Sequence, residues 1–138
     1  SAMVGRTVLA PSSIGVLGAD GEISGNVSVP ATTSGLRITV ENESGEQVRQ
    51  IDMGEQQPGQ TAFSWDGKDS KGNELADGTY FLKVTANGAD GSPVAVDTRT
   101  TGLVTAIDLS TTDPLLTVNG AQIRYSQITA VKEPEPAG

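Results

Sequence analysis

The densest run of side chains able to do chemistry is Trp65-Asp66-Gly67-Lys68-Asp69-Ser70-Lys71-Gly72-Asn73-Glu74-Leu75-Ala76-Asp77-Gly78. Carboxylates recurring at short intervals suit a calcium loop, because that ion gathers several oxygen ligands. The spacing fails the test. Counted from Asp66, the third and fifth ligand positions hold Lys68 and Ser70, and the sixth, where glycine makes the sharp turn, holds Lys71. A structural reading accounts for the same residues: Gly67, Gly72 and Gly78 permit a compact loop, Asp and Asn side chains bond its backbone, and Trp65 anchors its base.

A paired-carboxylate acid/base site, as in a weak carboxylate hydrolase, is the second chemistry to weigh, since nine acids and three bases fall between Glu41 and Asp77. Solvated hairpins and turns explain that balance more simply, because most of these acids sit in glycine-containing segments or on polar faces. The chain has no Cys and no His. Thiolate nucleophiles, disulfides, imidazole bases and Cys or His zinc ligands are therefore excluded. Serine catalysis lacks a His partner and a Gly-x-Ser-x-Gly elbow, and no strand, glycine-rich loop and helix unit is present to cradle phosphate. No catalytic residue, metal or cofactor is expected. Asn26 and Asn42 each open an Asn-x-Ser triplet, a pattern that arises often by chance. Trp65 could stack a sugar, but an aromatic sharing a strand face with Phe63 reads first as core.

The net charge of −8 gives counterion-release binding to nucleic acid no electrostatic support, and disfavours an anionic membrane surface as well. No apolar run is long enough to span a bilayer, so no membrane insertion is expected. The chain reads as soluble. Ser1-Ala2-Met3 resembles a cloning remnant, and the Pro-rich stretch over residues 133–138 reads as a disordered tail.

The elements that must position these residues are short strands. Leu, Ile, Val and Phe supply 31 of 138 residues, enough for a modest core, and the 17 Gly and 7 Pro fall between runs rich in Val, Thr and Ile. Ile23, Gly25, Val27 and Val29 alternate with polar residues, as do Leu36, Ile38 and Val40. Period two marks one buried face. Arg37 to Asp52 reads as a hairpin turning at Glu43-Ser44-Gly45-Glu46, with Val48 out of phase with Ile51 and Met53, which a bulge would correct. Tyr80, Leu82, Val84 and Ala86 form the clearest strand, and Gly88 to Pro93 turns it into Val94-Ala95-Val96. Six or seven strands between Asp20 and Thr100 predict a two-sheet sandwich, with Tyr80 as a tyrosine corner. The flanking strands, Thr7–Ala10 and Ile14–Leu17 before it and four more between Leu103 and Val131 after it, predict a small antiparallel barrel assembled from both chain ends, with the sandwich inserted. The expected division is residues 4–19 with 101–132 for the barrel and 20–100 for the sandwich. Glycines in the connection Gly18-Ala19-Asp20-Gly21 would let the two rotate.

Phe63, Trp65-Asp66-Gly67, Asp69, Gly72, Leu75, Asp77-Gly78 and Tyr80, set in this layout, resemble the signature of the flagellar hook-capping (FlgD-type) family. The resemblance runs over nearly all of Arg6 to Lys132. It implies an all-β fold: a Tudor-like barrel carrying an inserted fibronectin type III-like, Ig-like sandwich. It further implies a non-catalytic scaffold, self-associated into a cap at the distal end of the growing hook, where it guides hook protein subunits into place. Trp65, Gly67, Gly72, Gly78 and Tyr80 carry over as fold-forming residues. The family's N-terminal region, which serves export and rod contact, has no counterpart in this sequence. The rival reading is a cell-surface Ig-like module, binding carbohydrate through an exposed Trp65.

Overall fold

A computed structural model of the chain describes residues 3–132; the expectations for residues 1–2 and for the 133–138 tail lie outside them. Twelve strands follow in order: β1 (Thr7–Pro11), β2 (Ile14–Leu17), β3 (Ile23–Val29), β4 (Thr33–Glu41), β5 (Gln47–Asp52), β6 (Gly59–Trp65), β7 (Gly78–Gly88), β8 (Pro93–Val94), β9 (Asp97–Asp108), β10 (Leu115–Val118), β11 (Ala121–Arg124) and β12 (Ala130–Lys132). Among the described residues the one helical element is a 3-10 turn at Tyr125–Gln127.

The first sheet, ordered β2-β7-β4-β5 with β8 beside β7, faces part of a larger one. In the larger sheet the path is β11-β10-β9-β1-β12, with β3 added to β9 and β6 added to β3. All pairings are antiparallel, and β1 holds both chain ends together: Thr7 pairs with Leu103 and Val8 with Val131. The expected joining of early and late segments is therefore present. The five-strand path curls as a half-barrel, and no pairing closes β11 onto β12 among the described residues.

Two apolar cores result. Between the sheets lie Leu17, Ile23, Val27, Leu36, Ile38, Val40, Phe63, Trp65, Tyr80 and Leu82. Inside the curl lie Val8, Ala10, Val104, Leu116, Val118 and Ile123. Alternation explains both: in β3 every second residue from Ile23 to Val29 is buried. The bulge in β5 falls where the phase requires it. Val40 pairs with Arg49 and Glu41 with Gln47, so Val48 is skipped and turns inward with Ile51 and Met53.

One strand placement and one hairpin length differ from expectation. Ile14–Leu17 pairs with β7, from Ile14 opposite Phe81 to Leu17 opposite Gly78, and Leu17 joins the core between the sheets. An apolar run of four residues suits either sheet, and the gap beside β7 takes it. Strand β9 runs unbroken along β3 and then β10, across the division expected between residues 100 and 101. The second hairpin is also shorter than Val94-Ala95-Val96 suggests: only Pro93 and Val94 pair with β7, because the chain must leave that sheet to start β9 at Asp97.

Candidate functional site

Trp65 ends β6 with 1% of its surface exposed. Its indole Nε1 donates to the Lys68 carbonyl at 2.9 Å, and its ring meets that of Tyr80 edge-on at a centroid distance of 4.9 Å. The Tyr80 hydroxyl donates to the Ala76 carbonyl at 2.6 Å, closing the expected tyrosine corner. Burial comes first among the causes that raise the Tyr80 pKa. The exposed Trp65 required by a sugar-stacking module is not what the fold presents.

The carboxylates of the loop brace its backbone. Asp66 accepts from the Lys68 amide at 3.1 Å and from Arg49 at 3.0 Å, and Asp69 accepts from the amides of Lys71 and Asn73 at 2.9 Å each. Those backbone donors are the leading reason both carboxyls sit below the usual carboxylate range. A group held as an anion by amide donors is a poor proton carrier near neutrality. Gly67, at φ 76°, lets the loop fold under Leu17: a Cβ there would stand 3.1 Å from Leu17 Cδ1 and 3.2 Å from the Gly21 carbonyl.

The joint between the two cores is the second polar concentration, and sequence reading missed it. Thr100, buried in β9, donates from Oγ1 to the Ile14 carbonyl at 2.8 Å. Asn119 Nδ2 donates to that same carbonyl at 3.1 Å and to the Thr101 carbonyl at 3.2 Å. Asn119 and Gly120 join β10 to β11 with φ values of 52° and 80°, the signs a type I′ hairpin turn demands. The signal was in the sequence: an Asn-Gly pair between Leu115–Val118 and Gln122–Arg124. Gly102 lies under this turn, where a Cβ would be 2.6 Å from the Asn119 amide and from Val118 Cγ1.

Above the joint, on the outer face of the larger sheet, two concavities of about 470 and 360 Å³ share Thr7, Ser24 and Thr101 and so make one groove. Two of the exposed large apolar residues, Val16 and Leu103, line its first part; Val131 pairs with Val8 and so shares the face of the inner core. Asp20 and Glu22 stand at one end, and Lys132 lines the other part.

A family model described as the FlgD Ig-like domain matches residues 13–90, more than half of the chain. The chain belongs to the FlgD Ig-like family. The basal-body rod modification protein FlgD of Salmonella typhimurium is 32% identical over 60 residues, which cover 44% of this chain and 26% of the relative; the same figures hold for its counterpart in Salmonella typhi. The match thus spans about a quarter of the length of those curated relatives. A crystal structure of FlgD from P. aeruginosa superposes with a TM-score of 0.85 at 27% identity, covering 96% of this chain and 99% of that one. FlgD from Xanthomonas campestris, whose structure is described in connection with hook capping essential for flagellar assembly, gives 0.79 at 24% identity, covering 95% of each chain. The latter likeness speaks for the fold alone.

The FlgD Ig-like match starts at Ser13, one residue before β2, and ends just past β7. It therefore takes in the strand that the sequence reading assigned to the barrel, in keeping with the pairing of β2 to β7. The loop from Trp65 to Gly78 and the corner at Tyr80 lie inside the match, whereas Asn119 lies beyond it.

Proposed function

We propose that this chain is the two-core part of a flagellar hook cap: a non-catalytic scaffold that sits, in several copies, at the distal end of the growing hook and holds hook protein subunits while they insert. Membership of the FlgD Ig-like family carries the reading, together with a fold matched over nearly its whole length by FlgD of P. aeruginosa. The physical character of the chain supports it. A cap must grip a filament end and still move over it, which favours modest polar contacts over one broad apolar interface. Its loop carboxylates are spent on bracing turns, and its one Trp is spent on core packing. Among the described residues no helix is long and apolar enough to cross a membrane.

The division into a Tudor-like half-barrel and an inserted sandwich becomes, on this reading, a stiff two-part strut. Strand β9 serves both parts, and Asn119 pins the β10–β11 turn to β2 and β9. The test is deletion of the segment encoding residues 13–132 from the chromosomal gene of the source bacterium, with hooks counted by electron microscopy and swimming scored in soft agar. Loss of hooks and motility is expected. Normal hooks with normal motility would end the proposal.

A further inference from the structure

Two Asn-Gly pairs occur in the chain, Asn87-Gly88 and Asn119-Gly120. An Asn followed by Gly is prone to self-modification, because no Cβ on the second residue shields the backbone nitrogen that attacks the side-chain amide. The fold treats the two pairs differently. Gly88 is buried and its amide donates to the Ser92 carbonyl at 2.8 Å, so the attacking nitrogen is already engaged. Gly120 is exposed in the β10–β11 turn, and its amide has no backbone acceptor among the described residues. There the restraint falls on the other reactant. Asn119 Nδ2 donates to the Ile14 and Thr101 carbonyls at 3.1 and 3.2 Å, and these two bonds hold the side-chain torsions. The amide also lies against Gly102, where a Cβ would stand 2.6 Å from both Nδ2 and Oδ1. Rotating Cγ toward the Gly120 nitrogen means leaving that seat.

From this arrangement we propose that Asn119 is a deamidation site gated by the joint between the two cores: latched, it is protected; with the joint open, it converts, and the latch is lost. In the step, the Gly120 nitrogen gives its proton to solvent hydroxide and forms a bond to Asn119 Cγ. The Cγ–Nδ2 bond breaks and ammonia leaves. Water then opens the five-membered imide at either carbonyl, leaving aspartate or isoaspartate. One water is consumed and one ammonia released, with nothing oxidised or reduced. Either product replaces the donor toward Ile14 and Thr101 with a carboxylate, so a transient opening of the joint becomes a permanent one without any enzyme. The inference does not depend on the hook-cap reading, and its test uses the purified chain, so either can fail without the other.

The experiment holds the 138-residue chain, native and unfolded in guanidinium chloride, in mildly alkaline buffer and follows the replacement of the side-chain amide by a carboxylate at Asn119 and Asn87 by peptide mass spectrometry. In denaturant the two sites should convert at comparable rates. In the native chain Asn119 should convert at least about tenfold more slowly than in denaturant, the protection that a closed local structure confers. Gly102→Ala puts a methyl group where the Asn119 amide sits. It should speed native conversion at Asn119 about fivefold or more, the equilibrium factor for one lost hydrogen bond, and leave Asn87 unchanged. Should that variant not fold, hydrogen exchange of the Asn119 side-chain amide in the unsubstituted chain, read by NMR, takes its place, with exchange slowed at least about tenfold relative to the unfolded chain. Native conversion as fast as in denaturant, no conversion in denaturant, or an unprotected side-chain amide would each overturn the proposal. So would a folded Gly102→Ala chain whose Asn119 rate is unchanged, or whose Asn87 rate rises equally.

Discussion

Replacing Asn119 should loosen the joint between the two cores, and the size of the effect follows from its bonds. Its amide donates at 3.1 Å to Ile14 and at 3.2 Å to Thr101. A hydrogen bond contributes a net ~0.5–1.5 kcal/mol, so Asn119→Gly, which keeps the positive φ at no steric cost, should lose about 1–3 kcal/mol. Asn119→Ala loses the same bonds and keeps a Cβ in the left-handed region at φ 52°, which Asn tolerates better than Ala, so it should cost more than the glycine variant. Asn119→Asp turns a donor toward two carbonyl oxygens into an anion facing them, and should cost more than the glycine variant. Urea unfolding is the assay, with Trp65 fluorescence reporting the core between the sheets and far-UV circular dichroism reporting all strands. Residual dipolar couplings from β4 and β10 would then show whether the angle between the two parts has become variable. If Asn119→Gly falls within the ~0.5 kcal/mol scatter of ordinary surface substitutions, or if the aspartate variant is no worse than the glycine one, the latch is not what holds the joint.

Trp65→Ala empties a fully buried aromatic site and should cost ~3–5 kcal/mol by denaturant titration; a loss below ~1 kcal/mol would mean the ring packs far less tightly than its burial implies. Gly25→Ala would set a Cβ 2.0 Å from the Arg99 carbonyl and 2.7 Å from Phe63 Cζ, so the β3–β9 pairing must part and the cost should reach the upper end of the ~1–3 kcal/mol typical of overpacking. Gly35→Ala, with nothing within 4 Å of its Cβ, is the matched control and should stay near neutral in the same melt. Acid should destabilise the fold in a defined window. Asp66, Asp69 and Asp90 are lowered chiefly by backbone donors, and Asp108 and Asp113 chiefly by the hydroxyls of Ser110 and Ser126. A lowered folded-state pKa stabilises above the unfolded value of ~3.9 and loses that contribution as pH falls through the folded values, so the urea midpoint should hold down to about pH 4 and then drop. A midpoint insensitive to acid below that pH would show that these turns contribute nothing.

Legibility in the sequence tracked how local each interaction is. The Trp65 loop spans fourteen residues, Trp65 to Gly78, and the bonds that its Asp carboxylates and indole make to the loop backbone link positions two to four apart: Asp66 to Lys68, Asp69 to Asn73, Trp65 to Lys68. The tyrosine corner reaches four positions back, from Tyr80 to Ala76, and the bulge at Val48 follows from counting phase along one strand. Such features follow from residue type and spacing, because the partners are covalently near. The joint is the reverse case. Thr100 meets Ile14 across 86 residues and Asn119 meets it across 105, and neither Thr nor Asn has a composition or period that points to so distant a carbonyl. The Asn-Gly turn itself was readable; what its side chain would grasp was not.

By itself the sequence determined that the chain is all-β, which residues of each strand turn inward, that both ends share a sheet, and that Asp side chains brace the polar loop after Trp65; alternation and turn chemistry suffice for these. Only the tertiary structure decided which sheet receives Ile14–Leu17, that β9 passes through both parts without a break, and that Thr100 and Asn119 meet at the Ile14 carbonyl. The physical reason is that a short apolar strand carries information about its buried face but almost none about its neighbours. Those are selected by which gap in the packed layers it fills, a property of the whole assembled core.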